Sequence, residues 1–234
     1  MEGHSMAQRT LAVIGAMDVE VDLLAKSLDE VYEHKSAGVT IFDGRLPGTD
    51  VRVVATVAGM GTVNAAATAQ HLIDVYAPEA LLFSGIAGNL TNHLHINDVV
   101  LGKTLVYLDT DMRMISQAPP FTNEYHSDEK LLAVADEVLN KLGIEHIAGT
   151  IATGNLFIEG DAAAKVKAAT GADAVEMEGA AIAHVAARNE VPSLVIRALS
   201  DNADTEYETF REFDVSEYAD NAARIVMEII CSLA

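Results

Sequence analysis

Short, almost wholly apolar runs recur along this chain, separated by helical stripes and turns, and that alternation admits few architectures. Leu11 to Ala16, Ala80 to Ser84 and residues 193–199 lack the apolar–polar alternation of a half-exposed strand. Runs of that kind belong to strands buried on both faces, which need helices above and below them. After the first run, Asp18 is placed as an N-cap, and Val21, Leu24, Ala25 and Leu28 form a helical stripe. Val39 to Leu46 and Val51 to Val57 read as two strands joined through Pro47-Gly48-Thr49-Asp50, a hairpin with appropriate turn residues. A helix over Val63 to Val75 ends before Pro78, and Ile96 to Leu108 is β-rich. Helices are expected at 127–142, 161–169, 178–189 and 215–233, with strands at 147–153, 173–177 and 193–199. Residues 112–125, with Pro119-Pro120, have no period and read as a functional loop. The expected fold is α/β: one domain over residues 11–234, a mixed central sheet with helices on both faces. Residues 1–10 read as an expression remnant or a poorly ordered start.

Charge narrows the partners. Lys and Arg number 15 against 35 Asp and Glu, a formal net charge of −20. Phosphate backbones and anionic bilayers would repel such a chain, so neither nucleic acid nor a membrane surface is an expected partner. No run approaches the roughly 18 apolar residues of a membrane span. Leu11 to Met17 lacks a basic flank and reads as a strand rather than a signal sequence. Cys231 is the only cysteine, which rules out an internal disulfide and suits a reducing cytoplasm. His93 and His95 alternate as strand ligands might, but no third ligand has matching spacing, so no metal is expected.

The chemistry gathers where apolar runs end in acids. Val175-Glu176-Met177-Glu178 and Arg197-Ala198-Leu199-Ser200-Asp201 both do so, and Glu20 lies just past the first strand. Strand ends are where α/β proteins present catalytic groups. Glu176 and Glu178, two apart, share one face if that stretch is extended, and their repulsion raises the pKa of at least one unless a sugar hydroxyl or an Arg, for which Arg197 is placed, pairs with it. A structural Arg197–Glu176 pair explains Glu176 equally well. Asp201, partly desolvated, is placed to hold a proton and donate it to a ring nitrogen, although an N-cap would need no function. Gly59-Met60-Gly61 and the Ser84 to Asn89 segment read as loops after strands, and Ala87 and Gly88 are small enough to admit a flat ring. Tight turns packed under a sheet would explain these loops equally well. Neither carries the full dinucleotide or phosphate-loop pattern.

In these residues the chain resembles the 5′-methylthioadenosine/S-adenosylhomocysteine nucleosidases of the nucleoside phosphorylase superfamily. The markers are Ile14-Gly15-Ala16-Met17 with Glu20, Gly59-Met60-Gly61, Ser84-Gly85-Ile86-Ala87-Gly88, Phe157-Ile158, Val175 to Glu178 and Arg197 to Asp201. The resemblance implies that Asp201, helped by Ser200, protonates purine N7 and that Glu20 positions and deprotonates the attacking water. It implies that Phe157 stacks on adenine, the Ile158 backbone bonds its edge, Met177 and Glu178 grip the ribose, and Phe210 lines the alkylthio side. Met17, Ile86, Ala87, Gly88, Val175, Glu176, Arg197 and Ala203 complete the implied nucleoside site. It further implies no cofactor and a homodimer whose partner loop closes each site.

The chain departs from that pattern at Ile86, where Ser is common, at Asn89, where Gly is, and at Ile115, near where Phe is frequent. Substrates therefore stay open among methylthioadenosine, S-adenosylhomocysteine, 5′-deoxyadenosine and futalosine-type precursors. Asp18 and Glu20 follow the first strand with no Arg, which favours water over phosphate and leaves a purine or uridine phosphorylase as the alternative.

Overall fold

The structure, a computed structural model, describes residues 9–203 and 214–234. Phe210 lies outside the described residues. Ten strands form one mixed sheet: β1 Thr10–Gly15, β2 Asp29–Ser36, β3 Val39–Arg45, β4 Arg52–Val57, β5 Ala80–Asn89, β6 Val99–Tyr107, β7 Tyr125–His126, β8 His146–Thr153, β9 Ala174–Glu176 and β10 Ser193–Asp201. Among the described residues the helices are α1 Asp18–Ser27, α2 Thr62–Tyr76, α3 Met112–Ile115, α4 Glu129–Leu142, α5 Asp161–Thr170, α6 Gly179–Arg188 and α7 Ser216–Leu233.

The apolar runs behave as strands buried on both sides because their alternate residues enter different cores. Ala12, Ile14, Leu81, Phe83 and Val195 pack on one face with Ala65, Ala69 and Leu72 of α2 and Ala180 to Ala183 of α6. Leu11, Val13, Leu82, Leu194 and Ile196 pack on the other with α1, α4 and α7. Among the described residues no helix is long and apolar enough to cross a membrane.

The sheet also closes partly on itself. β5 pairs in parallel with β10, which runs on through β6, β8 and β9 back to β5. Along its other edge β5 pairs with β1 over Ala80 to Phe83 and with β9 only at Gly88 and Asn89. Between these stretches, from Ser84 to Ala87, that edge has no ladder partner among the described residues, and the candidate site is built around this gap.

Several expectations change. Ser84 to Asn89 is not a loop but the second half of a ten-residue strand. The N-cap of α1 is Met17 rather than Asp18. β2 was not foreseen, because its charged, exposed sequence carries no apolar pattern and it exists by antiparallel pairing with β3. Thr10, inside the span read as a remnant or poorly ordered start, belongs to β1.

Candidate active site

Glu20 occupies the β5 gap. It is the third residue of α1, and its carboxylate turns back so that Oε2 accepts from Ala16 N at 2.6 Å and Met17 N at 3.0 Å. Oε1 accepts from Ile86 N, at 3.0 Å, the backbone donor exposed by the gap. A carboxylate has about four lone-pair sites, so one on Oε1 stays open. Burial pushes the Glu20 carboxyl up, against the opposing pull of Arg197 and the three N–H groups. Gly85 is required here, since a Cβ would collide with both Glu20 Oε1 and Arg197 Nη1.

Arg197 lies behind the cavity wall at 0% exposure, its guanidinium 3.9 Å from the centre of the Phe83 ring. Its Nη2 bonds Glu176 Oε2 and, at 3.3 Å, Glu178 Oε2. Three buried carboxylates thus share one cation. The two neighbouring glutamates have different surroundings because β9 ends at Glu176 and Glu178 turns out of the strand as the N-cap of α6. The extended reading of Val175 to Glu178 fails at that point.

Glu176 is held by protein donors on both oxygens: Oε2 also accepts from Glu178 N and Gly179 N, and Oε1 accepts from Thr153 Oγ1. Thr153 Oγ1 in turn accepts from Ala180 N, so the first donors of α6 are satisfied. Glu176 therefore fastens the helix start. Glu178 Oε1 accepts from Gly61 N at 2.7 Å, the backbone at the start of α2. Burial, and after it the Glu176 carboxylate, pushes the Glu178 carboxyl up to about 7.

The sign of that shift gives a pH prediction. A carboxyl raised on folding contributes stability that is full below its unfolded pKa and is lost as pH rises through its folded pKa. For Glu178 the window runs from 4.5 to about 7, and Glu20 acts in the same direction. The Glu178→Gln protein should therefore gain on the parent in thermal unfolding temperature between about pH 5 and about pH 8. Parallel profiles would remove this account.

Asp201 reaches the cavity through a bulge. β10 and β5 are in register to Leu199 and Ala87, but the next pair is Asp201 with Gly88, which leaves Ser200 as the extra residue. Asp201 Oδ2 accepts from Ser200 Oγ at 2.9 Å and Oδ1 from Ala203 N at 2.7 Å. Gly88 leaves space beside it, for a Cβ there would press on Asp201, Val175 and Ala203.

These groups border one cavity of about 220 Å³. Met17, Glu20, Ile86, Ala87, Gly88, Phe157, Ile158, Val175, Glu176, Met177, Glu178, Ser200 and Asp201 line it. Ala203 and Arg197 stand behind the wall. Ala16, Met60 and Leu156 line it as well without having been picked out as site residues. Leu156 had a sequence signal, its place directly before Phe157-Ile158, whereas Met60 stood unweighted inside its glycine turn. No Lys or Arg lines the cavity among the described residues. The arrangement offers an acid beside a flat, small-residue floor, a buried carboxylate with a free lone pair, and a second carboxylate able to take hydroxyl hydrogen bonds.

A family model described as the phosphorylase superfamily matches residues 10–231. The chain is similar, at 35% identity over 228 residues, to 5′-methylthioadenosine/S-adenosylhomocysteine nucleosidase of Bacillus subtilis, covering 94% of this chain and 97% of that protein. It is similar in structure to S-adenosylhomocysteine nucleosidase from Streptococcus pyogenes in complex with 5-methylthiotubericidin. There the TM-score is 0.90 at 32% identity, covering 98% of this chain and 99% of the other. Futalosine hydrolase of Helicobacter pylori is also similar, with a TM-score of 0.87 at 28% identity, covering 96% and 98%. Site geometry, family model and near full-length likeness agree, and the chain belongs to the phosphorylase superfamily as a member of its 5′-methylthioadenosine/S-adenosylhomocysteine nucleosidase family.

Proposed function

We propose that this protein hydrolyses the N-glycosidic bond of 5′-methylthioadenosine and S-adenosylhomocysteine, releasing adenine and the thioribose. The observation that carries the reading is the placement of Asp201 and Glu20 on one cavity, each held by backbone donors in a fixed orientation. Breaking the bond leaves electron density on the purine and positive charge on the ribose. Asp201 supplies the proton to purine N7, and Ser200 holds its carboxyl in place. Glu20 takes the proton of the attacking water on the open lone pair of Oε1. Glu178 accepts from the ribose hydroxyls, while Phe157, Ile158 and Met177 enclose the nucleoside.

Water is the favoured nucleophile because, among the described residues, the cavity is lined by carboxylates and by no cation. Like charges 4 Å apart repel by roughly 4 kcal/mol at an effective dielectric near 20, which opposes entry of phosphate. Methylthioadenosine incubated with the protein should yield adenine at the same rate with and without phosphate. Product that forms only with phosphate, as a sugar 1-phosphate, would identify a phosphorylase. Likeness to futalosine hydrolase supports a second reading, the same cleavage of a futalosine-type precursor, and assay of both nucleosides side by side separates the two.

The expected assembly is a homodimer. Its support is exposed apolar surface: Met60 and Leu156 of the cavity lining are 60% and 58% exposed, and Val63 in the first turn of α2 is 79% exposed. A single-chain mass in sedimentation would exclude it.

A further inference from the structure

Asn155 joins three loops that meet at the cavity mouth. Its Oδ1 accepts from the backbone N–H of Thr62 at 2.9 Å, and its Nδ2 donates to Thr62 Oγ1 at 2.8 Å. Its own backbone N–H donates to Asp109 Oδ2, at 2.8 Å, in the segment after β6. On one side Asn155 leads directly into Leu156, Phe157 and Ile158 of the cavity wall. On the other, Thr62 follows Gly61, whose N–H holds Glu178. Gly61 has φ +95°, and a Cβ there would lie 3.0 Å from Asn155 Oδ1, so only glycine lets the amide come this close.

We infer that Asn155 is a positioning residue for this site, a clasp that holds the purine-facing wall and the Gly61–Glu178 contact in one fixed relation. The inference rests on the nucleosidase reading above. Physically, the nucleoside spans both parts: the base meets residues 156–158 and the ribose meets Glu178. If the two loops drift apart, no pose satisfies both ends, and a misplacement of about 1 Å can cost about a hundredfold in rate. These bonds are exposed, so each adds little to global stability. The clasp therefore acts on geometry, and global unfolding is a poor probe of it.

Two readouts test it. In the Asn155→Ala protein, amide hydrogen exchange should quicken together in residues 59–62 and 154–160, with or without activity. Faster exchange confined to 154–160, or no change at all, would overturn the clasp. In steady-state kinetics, kcat/KM for methylthioadenosine should fall about ten- to a hundredfold. Asn155→Asp, which keeps the acceptor facing Thr62 N, should restore most of it. The Asn155→Ala loss should also shrink in a Glu178→Gln background, because part of it runs through Gly61 to Glu178. Fully additive losses, or no rescue by Asp, would reduce Asn155 to a packing residue. A parent protein that releases no adenine defeats the nucleosidase reading, and the exchange experiment still decides the clasp.

Discussion

Asp201→Asn will leave the protein folded and able to bind nucleoside while lowering turnover by about 10²–10⁴, the usual worth of a general acid. The structure explains why these effects separate. An asparagine can keep both existing contacts, its carbonyl oxygen accepting from Ala203 N and its amide group donating to Ser200 Oγ. The bulge that presents residue 201 beside Gly88 is made by backbone register and does not depend on the charge. Only the transferable proton is lost, since an amide N–H can bond N7 but cannot protonate it. Single-turnover release of adenine, with calorimetric binding of adenine as the control, checks this. Unimpaired hydrolysis by the variant would refute the proposed acid.

Glu20→Gln should also abolish most turnover, by about 10²–10⁴, with ligand binding largely kept and a cost in stability that Asp201→Asn does not carry. The carboxylate accepts three backbone N–H bonds on its two oxygens. An amide has one accepting oxygen, so its NH₂ must face either Ile86 N or the Ala16 and Met17 donors. One buried donor set is then unsatisfied, which costs about 1–3 kcal/mol. The variant should unfold at a lower temperature, still titrate with adenine in a calorimeter, and fail to turn over. Turnover near that of the parent would mean that another group takes the proton from water.

Much of the frame was legible in the residues. Buried strands and amphipathic helices are local patterns, so β1, β4, β10, α2, α4 and α6 fall close to where periodicity put them. The acids at strand ends were legible for the same reason, because an apolar run that stops at a carboxylate marks its own end. β2 was not, since a charged edge strand has no pattern of its own and forms only against β3. The Ser84 to Asn89 segment was misread because its glycines suggest a turn, whereas the close approach of Arg197 and Glu20 is what demands Gly85.

Sequence by itself determined the class of fold and the acids at which its apolar runs end, because these follow from residue type and short-range period. Tertiary structure alone decided what each acid touches. Glu176 became a helix fastener and Glu178 a cavity carboxylate because β9 stops between them, and Arg197 reaches both from a strand 19 and 21 residues on. Glu20 found its third donor 66 residues away, in the gap where β5 leaves β1 and has not yet met β9. Asn155 meets Thr62 across 93 residues. Such meetings depend on sheet closure and strand register, which arise only when distant segments pack and so leave no period in the chain.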